Sequence, residues 1–268
     1  MSIKIKLAII LITVIVGSAL AAPLITSYSP TEIQKGKQFL APSTIHYFGT
    51  DEFGRDVFSR TIYAGRISLL AGFVAVVISA AIGVPLGLIS GYYGKLTDTL
   101  IMRTMDSLLA FPALLLALTI VAILGPSSIN AMIAVSVVSI PDFARISRAA
   151  ILSQKEKDYV QSAISIGASH KRVIFSDIFP NCIGPILVQI TIAVAFAILL
   201  EAALSFLGLG TQPPEASWGA MLFSGRGYLR QAWWYAFFPG LFITLMILTL
   251  NIISEYIRDK LDPITVNS

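Results

Sequence analysis

The sequence predicts an all-α polytopic membrane protein with six transmembrane helices. Of its 268 residues, 56% are hydrophobic and only 13% are charged, whereas soluble domains carry about 25% charged residues. The mean hydropathy is +0.80, and the apolar residues lie in long runs without charge. A water-soluble domain needs more polar cover, so this composition argues against an ordinary soluble enzyme.

The basic residues of the chain are scattered rather than clustered. The net charge is +4, and the 19 Lys and Arg residues stand in ones and twos between apolar runs. A surface that binds nucleic acid carries a continuous basic patch instead. We therefore expect a lipid bilayer as a partner and no nucleic acid.

The sequence holds few candidates for metal or disulfide chemistry. Cys182 is the single cysteine, and His46 and His170 are the two histidines. One thiol excludes an internal disulfide and cannot build a thiolate cluster, and the two histidines lie far apart in sequence. We expect no metal site and no cofactor in this chain.

Charge-free windows locate the membrane spans, because a bilayer core about 30 Å thick needs roughly 20 apolar residues in a helix. The window 107–141 is too long for one span and contains Gly125 and Pro126, which predict a turn between two helices. The predicted spans are 7–25, 67–94, 107–124, 129–151, 178–200 and 231–254.

The first span has some features of a signal peptide. Lys4 and Lys6 precede the apolar stretch, and residues 19–21 read Ala-Leu-Ala, a small-x-small pattern typical of cleavage sites. The stretch is longer than a usual signal core and further spans follow it. We therefore expect an uncleaved helix.

The distribution of basic residues predicts the orientation. With six spans and a cytoplasmic N-terminus, 12 of the 19 basic residues fall inside and 7 outside. By the positive-inside rule, both termini are expected in the cytoplasm. We divide the chain into 1–65 (first helix and extracellular loop), 66–258 (membrane core with the cytoplasmic connection) and 259–268 (cytoplasmic tail).

The cytoplasmic connection 153–180 carries a helical pattern. Val160, Ala163, Ile164 and Gly167 recur at i, i+3, i+4 and i+7, which predicts a short helix with one apolar face. Gly167 should interrupt it, and a second helix should begin after Ser169 and stop at Pro180. Such a pair of helices fits either a groove on another protein or the lipid headgroups.

This connection resembles the EAA loop of ABC-importer permeases. The positions that carry the resemblance are Gln161, Ser162, Ala163, Gly167, Phe179 and Pro180. The family usually has Glu-Ala-Ala, then Gly, then Leu-Pro at these places. The sequence departs from that pattern at Gln161, Ser162, Asp177 and Phe179, and Gln161 puts a charge-based contact at the first position in doubt.

Three further stretches resemble the dipeptide, oligopeptide and nickel branch of these permeases. Residues 48–56 read FGTDEFGRD, residues 205–219 contain SFLGLG, QPP and SWG, and residues 258–263 read RDKLDP. Their order along nearly the whole chain is similar to that of the C-type subunit of the permease pair.

The resemblance implies the type I ABC-importer permease fold, with 66–258 as the permease core, in the cell membrane of a bacterium or archaeon. It also implies a set of partners. These are a homologous sister permease, two ABC ATPases and an extracellular solute-binding protein. The chain itself would be a permease and not an enzyme, because ATP and Mg would bind the ATPases. Its own sequence lacks the G-x-x-x-x-G-K-[ST] phosphate loop.

The resemblance also implies a cargo and a coupling site. Di- or oligopeptides are the expected substrate, with nickel or a metal chelate as the alternative and an ion-driven secondary transporter as a more distant one. Coupling to the ATPases would use the loop 158–180, through Gln161, Ser162, Ala163, Gly167 and Pro180.

Four charged residues are further candidates. Glu201 lies at the outer end of the fifth predicted span, and an intramembrane carboxylate is a candidate for a pathway or gating role. Asp51, Arg55 and Asp56 precede the second span and fit either a salt-bridged turn or a docking surface for an extracellular partner.

Overall fold

The structure is a computed structural model that describes residues 3–261, and its regular elements over that range are helices. In chain order they are α1 (Ile3–Leu20), α2 (Ala22–Ile25), α3 (Val57–Tyr93), α4 (Lys95–Leu109), α5 (Ala113–Leu124), α6 (Ser128–Lys155), α7 (Asp158–Ser165), α8 (His170–Phe206), α9 (Trp218–Gly225) and α10 (Trp234–Leu261).

The prediction of six spans agrees with the structure when one bent pair of helices is counted as a span. Five helices, α1, α3, α6, α8 and α10, are long and apolar enough to cross a membrane, and α4 and α5, bent by 88° relative to each other, make a sixth as one broken span. The bend lies just before Pro112, because the residue before a proline disfavours helical backbone. A single helix over 107–124 was therefore the wrong expectation.

Helix α3 begins ten residues earlier than the charge-free window indicates. Asp56 precedes it, and its carboxylate accepts a 2.7 Å bond from the backbone N–H of Ser59, which is typical of a helix N-cap. The 37 residues of α3 extend about 55 Å at 1.5 Å per residue. The helix therefore emerges from the hydrocarbon layer, and the domain boundary drawn at residue 65 falls inside it.

The parallel pair of α3 and α6 forms the centre of the bundle, since Gly83, Gly87 and Gly91 meet residues of α6 whose numbers rise in step with their own. A Cβ atom at Gly83 would lie 2.6 Å from the carbonyl oxygen of Ile140, and one at Gly87 would collide with that of Ala144. The glycines therefore allow the two backbones to approach closely. Phe143 and Ile151 fill the core beside this contact.

The bundle has two distinct ends. The loop end carries 26–56 and 207–233, and the coupling end carries 156–169. The connection between α1 and α3 is shorter than the gap between the predicted spans 7–25 and 67–94, because α3 includes residues 57–66. At the far end of the chain, Asp262 and Pro263 of the C-terminal motif lie outside the described residues.

Candidate functional sites

The coupling end presents α7 as a short helix with one buried side. Val160 is fully buried and joins the main hydrophobic core, and Ala163 packs against the same core. Gln161 and Ser162 are exposed, and Ile166 is 82% exposed. The side of α7 that faces away from the bundle is therefore free to contact another protein.

Gly167 ends α7 through its backbone geometry. Its φ is +82°, its N–H donates to the carbonyl of Ile164 at 3.0 Å, and the N–H of Ala168 donates to Ala163 at 3.1 Å. This pair of bonds is a Schellman motif, which requires a left-handed residue at this position. An added Cβ would have no neighbour within 4 Å, so conformation rather than space favours glycine.

The side chain of Gln161 turns back toward α6. Its Nε2 donates a 3.1 Å bond to the carbonyl oxygen of Lys155, one of the last carbonyls of that helix, which have no partner within the helix. A carboxylate at position 161 could not donate this bond. The departure from the family's usual Glu thus has a local structural role.

Three hydrogen bonds connect the coupling loop and the helix ends beside it. The Tyr92 hydroxyl at the end of α3 lies 2.8 Å from Nδ1 of His170, and Lys155 Nζ donates to the Tyr92 carbonyl at 2.7 Å. Asn181 on α8 donates to the Tyr159 hydroxyl at 3.3 Å. Partial burial raises the pKa of Tyr159, so its hydroxyl stays protonated at neutral pH.

Pro180 does not stop a helix. The second helix of the loop starts after Ser169, as predicted, but continues without a break to Phe206. The stretch Val173–Ile178 is π-helical, and Pro180 follows it in the first turn of the next α-helical stretch. A proline is tolerated there because its missing N–H needs no partner.

Glu201 is buried between helices rather than exposed on a surface, with 1% of the residue accessible. The Ser205 hydroxyl donates to Oε1 at 2.7 Å, and the Ser68 hydroxyl of α3 donates to Oε2 at 3.4 Å. Ser68 Oγ also accepts a 3.1 Å bond from the N–H of Trp218, the first residue of α9. Glu201 therefore links α3, α8 and α9 at the loop end.

Asp51, Arg55 and Asp56 form a buried turn ahead of α3. Asp51 accepts 2.9 Å bonds from the backbone N–H groups of Phe53 and Arg55 and a 2.6 Å bond from Arg55 Nε. Asp56 Oδ2 lies 2.9 Å from Nδ1 of His46. Since Asp51 and Asp56 are almost fully buried, the geometry is that of a salt-bridged turn.

Several residues of these sites carry no signal in the sequence. Ser68 and Glu201 are 133 residues apart, and Tyr92 and His170 are 78 apart. A single serine or tyrosine in an apolar run gives no indication of a specific partner. These pairs form only when the helices pack against each other.

The sequence matches a family model over residues 83–265, described as the inner membrane component of binding-protein-dependent transport systems. The chain belongs to this family. It is thus a multi-pass membrane protein and the permease subunit of an ABC importer, and ATP hydrolysis belongs to partner subunits.

Curated relatives match almost the full chain. The dipeptide transport system permease protein DppC of Alkalihalophilus pseudofirmus is 47% identical over 97% of this chain and 86% of that protein. DppC of Haemophilus influenzae is 43% identical over 96% and 89%. The probable D,D-dipeptide transport system permease protein DdpC of Escherichia coli is 43% identical over 90% and 81%.

A solved structure supports the fold. A chain of the MetNI methionine ABC transporter, in an inward-facing conformation, superposes with a TM-score of 0.63 at 14% identity. The match covers 76% of this chain and 97% of that one. The predicted ABC-importer permease fold is therefore confirmed.

Proposed function

We propose that this chain is one of two permease subunits through which short peptides enter the cell. The observation that carries the substrate class is the agreement among the curated relatives, which are named for dipeptide, D,D-dipeptide or di/tripeptide transport. Nickel or a metal chelate is the alternative cargo. An ion-driven mechanism is disfavoured by membership of a binding-protein-dependent family.

The proposed complex contains a homologous sister permease, two ABC ATPases and an extracellular solute-binding protein. ATP and Mg bind the ATPases, and this chain holds no cofactor. The excess of basic residues at the coupling end supports a cytoplasmic location for that end and for both termini. The loop end then faces outward, where the binding protein delivers its cargo.

The coupling site of this complex is α7 with its neighbours Gly167 and Pro180. Val160 fixes the inner side of α7 to the bundle, and Gln161 and Ser162 lie on its exposed side. Closure of the ATPases would displace α7 as a rigid unit. The Gln161–Lys155 and Tyr92–His170 bonds would pass that displacement to α6 and α3.

Glu201 is the proposed gating residue at the loop end. It joins two membrane helices and the start of α9 through serine hydroxyls, so a relative movement of these helices must rearrange its bonds. The turn built by Asp51, Arg55 and Asp56 fixes the start of α3 during this movement.

Transport in proteoliposomes tests the function directly. The vesicles contain this chain, its sister permease and both ATPases, with the binding protein and radiolabelled alanyl-alanine outside. ATP-dependent uptake is expected, and uptake should cease without ATP or without the binding protein. Entry of a nickel chelate but not of the peptide would overturn the substrate class, and uptake driven by an ion gradient without ATP would overturn the importer mechanism.

A further inference from the structure

Two cavities at the loop end meet at Arg66. The first is an apolar groove of about 510 Å³ between α1, α3, α8 and α10, with Val16, Leu70 and Phe73 in its walls. The second, which we call the headgroup hollow, measures about 240 Å³. Its walls are mainly apolar and are formed by Pro30, Thr31, Tyr63, Ile67, Pro214, Glu215 and Ala216. Arg66 lines both cavities.

The groove opens onto the surface of helices that cross the membrane. Leu70 and Phe73 are 54% and 62% exposed, and Leu20 at the rim is 70% exposed. The groove contains almost no polar lining besides Arg66, so hydrocarbon is the medium that its surface favours. Its volume lies within the range of about 300–1,000 Å³ that is typical of ligand sites.

The guanidinium of Arg66 is held in place but keeps donors to spare. Its Nε donates to the carbonyl oxygen of Ala19 at 2.9 Å and its Nη2 to that of Leu20 at 3.0 Å, at the C-terminus of α1. These bonds use two of the five N–H groups of an arginine. Among residues 3–261, no carboxylate lies within ion-pairing distance of Arg66.

An arginine with free donors at the rim of an apolar groove matches the chemistry of a phospholipid. Guanidinium groups bind phosphate with paired hydrogen bonds, and the groove below matches an acyl chain. The exposed carboxylate of Glu215 in the headgroup hollow adds a negative charge beside the phosphate position. That charge favours a headgroup with an ammonium group and disfavours an anionic one.

We propose that this chain binds one molecule of a phosphatidylethanolamine-type lipid at the loop end. One acyl chain occupies the groove, the phosphate accepts hydrogen bonds from the Arg66 guanidinium, and the ammonium group forms an ion pair with Glu215. The lipid thereby joins the end of α1 to α3. A helix of the sister permease is the rival occupant, and it would need an acidic side chain level with Arg66. The inference is independent of the imported substrate.

Native mass spectrometry of the whole transporter tests the proposal. The complex of both permeases and both ATPases is stripped of lipid in detergent and then titrated with palmitoyl-oleoyl phosphatidylethanolamine or phosphatidylglycerol. The wild type should retain one phosphatidylethanolamine in preference to phosphatidylglycerol. Arg66→Gln should lower that occupancy about tenfold, since a charge-assisted bond is lost.

Three further variants separate the parts of the site. Glu215→Gln should remove the preference between the two lipids, and Leu70→Trp should fill the groove and lower the binding of both while leaving Arg66 intact. The matched control is Arg226→Gln, because Arg226 also lies at the loop end and donates to a helix carbonyl, that of Phe206, but lines neither cavity. This control should bind lipid like the wild type.

Two results would overturn the proposal. One is equal lipid retention in the wild type, Arg66→Gln and Leu70→Trp. The other is efficient disulfide or bis-maleimide crosslinking of a Phe73→Cys variant to the sister permease, which would place a protein helix in the groove.

Discussion

The Ser205 hydroxyl donates a 2.7 Å hydrogen bond to the carboxylate of Glu201, one turn earlier in the same helix, and accepts a 3.1 Å bond from the N–H of Thr211. A single hydroxyl thus connects the buried acid to the loop that follows α8. Because Glu201 also reaches Ser68 on α3, a local pair within one helix becomes a junction of three segments.

Glu201→Gln should impair transport while leaving assembly intact. The amide oxygen can still accept from Ser205, but the amide NH2 group replaces the oxygen that accepts from Ser68, and the loss of that hydrogen bond costs about 1 kcal/mol. We expect uptake to fall about fivefold, with normal copurification of the partner subunits. Glu32→Gln, at an exposed loop-end acid, is the control. Unchanged uptake in Glu201→Gln would dispose of the gating role.

Gly167→Ala should weaken the coupling of ATP hydrolysis to uptake. A φ of +82° costs a residue with a Cβ about 1 kcal/mol relative to glycine, so the end of α7 should fray. The ratio of peptide transported to ATP hydrolysed measures this effect.

Gly36→Ala is the matched control for Gly167, because Gly36 has a φ of +80° and open space around its Cβ position but lies at the loop end. Equal coupling ratios in the two variants would contradict a specific role of α7.

Asp51→Asn should destabilise the fold at the loop end. It removes the carboxylate that lies 2.6 Å from Arg55 and 3.5 Å from Arg60, so that Arg55 keeps only its 3.6 Å contact with Glu52. Breaking a buried pair costs about 3–5 kcal/mol. We expect a lower midpoint of thermal unfolding in detergent, and Glu32→Gln should leave the midpoint unchanged. A midpoint equal to that of the wild type would show that the pair contributes no net stability.

Much of the fold could be predicted from the sequence, because long apolar runs mark the segments that cross the hydrocarbon layer of the membrane. The number of spans follows from this pattern. The second helix of the loop begins after Ser169 as expected, although the Ser169 side chain makes no capping hydrogen bond. Helix ends at the membrane surface could not be predicted in this way. Arg60 and Arg66 lie before the charge-free window but inside α3. Charged residues disfavour burial in lipid, but they do not prevent a helix from forming.

The amphipathic helix α4 escaped prediction for the same reason. It carries four charged residues, Lys95, Asp98, Arg103 and Asp106, so a search for charge-free windows passes over it. The ion-pair partner of Asp106 could not be predicted from the sequence either. Arg145 on α6 bonds it at 2.6 Å from 39 residues away, and only the crossing of α4 and α6 brings the two together.

Gln161→Glu should impair coupling, although it restores the residue usual in related permeases. The carboxylate lacks the N–H group that donates to the Lys155 carbonyl, and the loss of this exposed hydrogen bond costs about 0.5–1.5 kcal/mol. We expect a several-fold lower affinity between permeases and ATPases, measured by the ATPase concentration that gives half-maximal uptake.

Gln212→Glu is the matched control for Gln161, because Gln212 donates through its amide to two backbone carbonyls at the loop end. Its affinity for the ATPases should equal that of the wild type. A wild-type affinity in Gln161→Glu would instead show that the Gln161–Lys155 bond does not position α7.

Tyr92→Phe should uncouple ATP hydrolysis from uptake by removing the hydroxyl that bonds His170. A net loss of about 1 kcal/mol per hydrogen bond should lower the transport-to-hydrolysis ratio about fivefold, with ATPase activity retained. Tyr93→Phe provides the control, since the Tyr93 ring also contacts His170, at 6.0 Å between centroids, and keeps that contact in the variant. If Tyr92→Phe keeps the wild-type ratio, as Tyr93→Phe should, the Tyr92 hydroxyl does not connect α3 to the coupling loop.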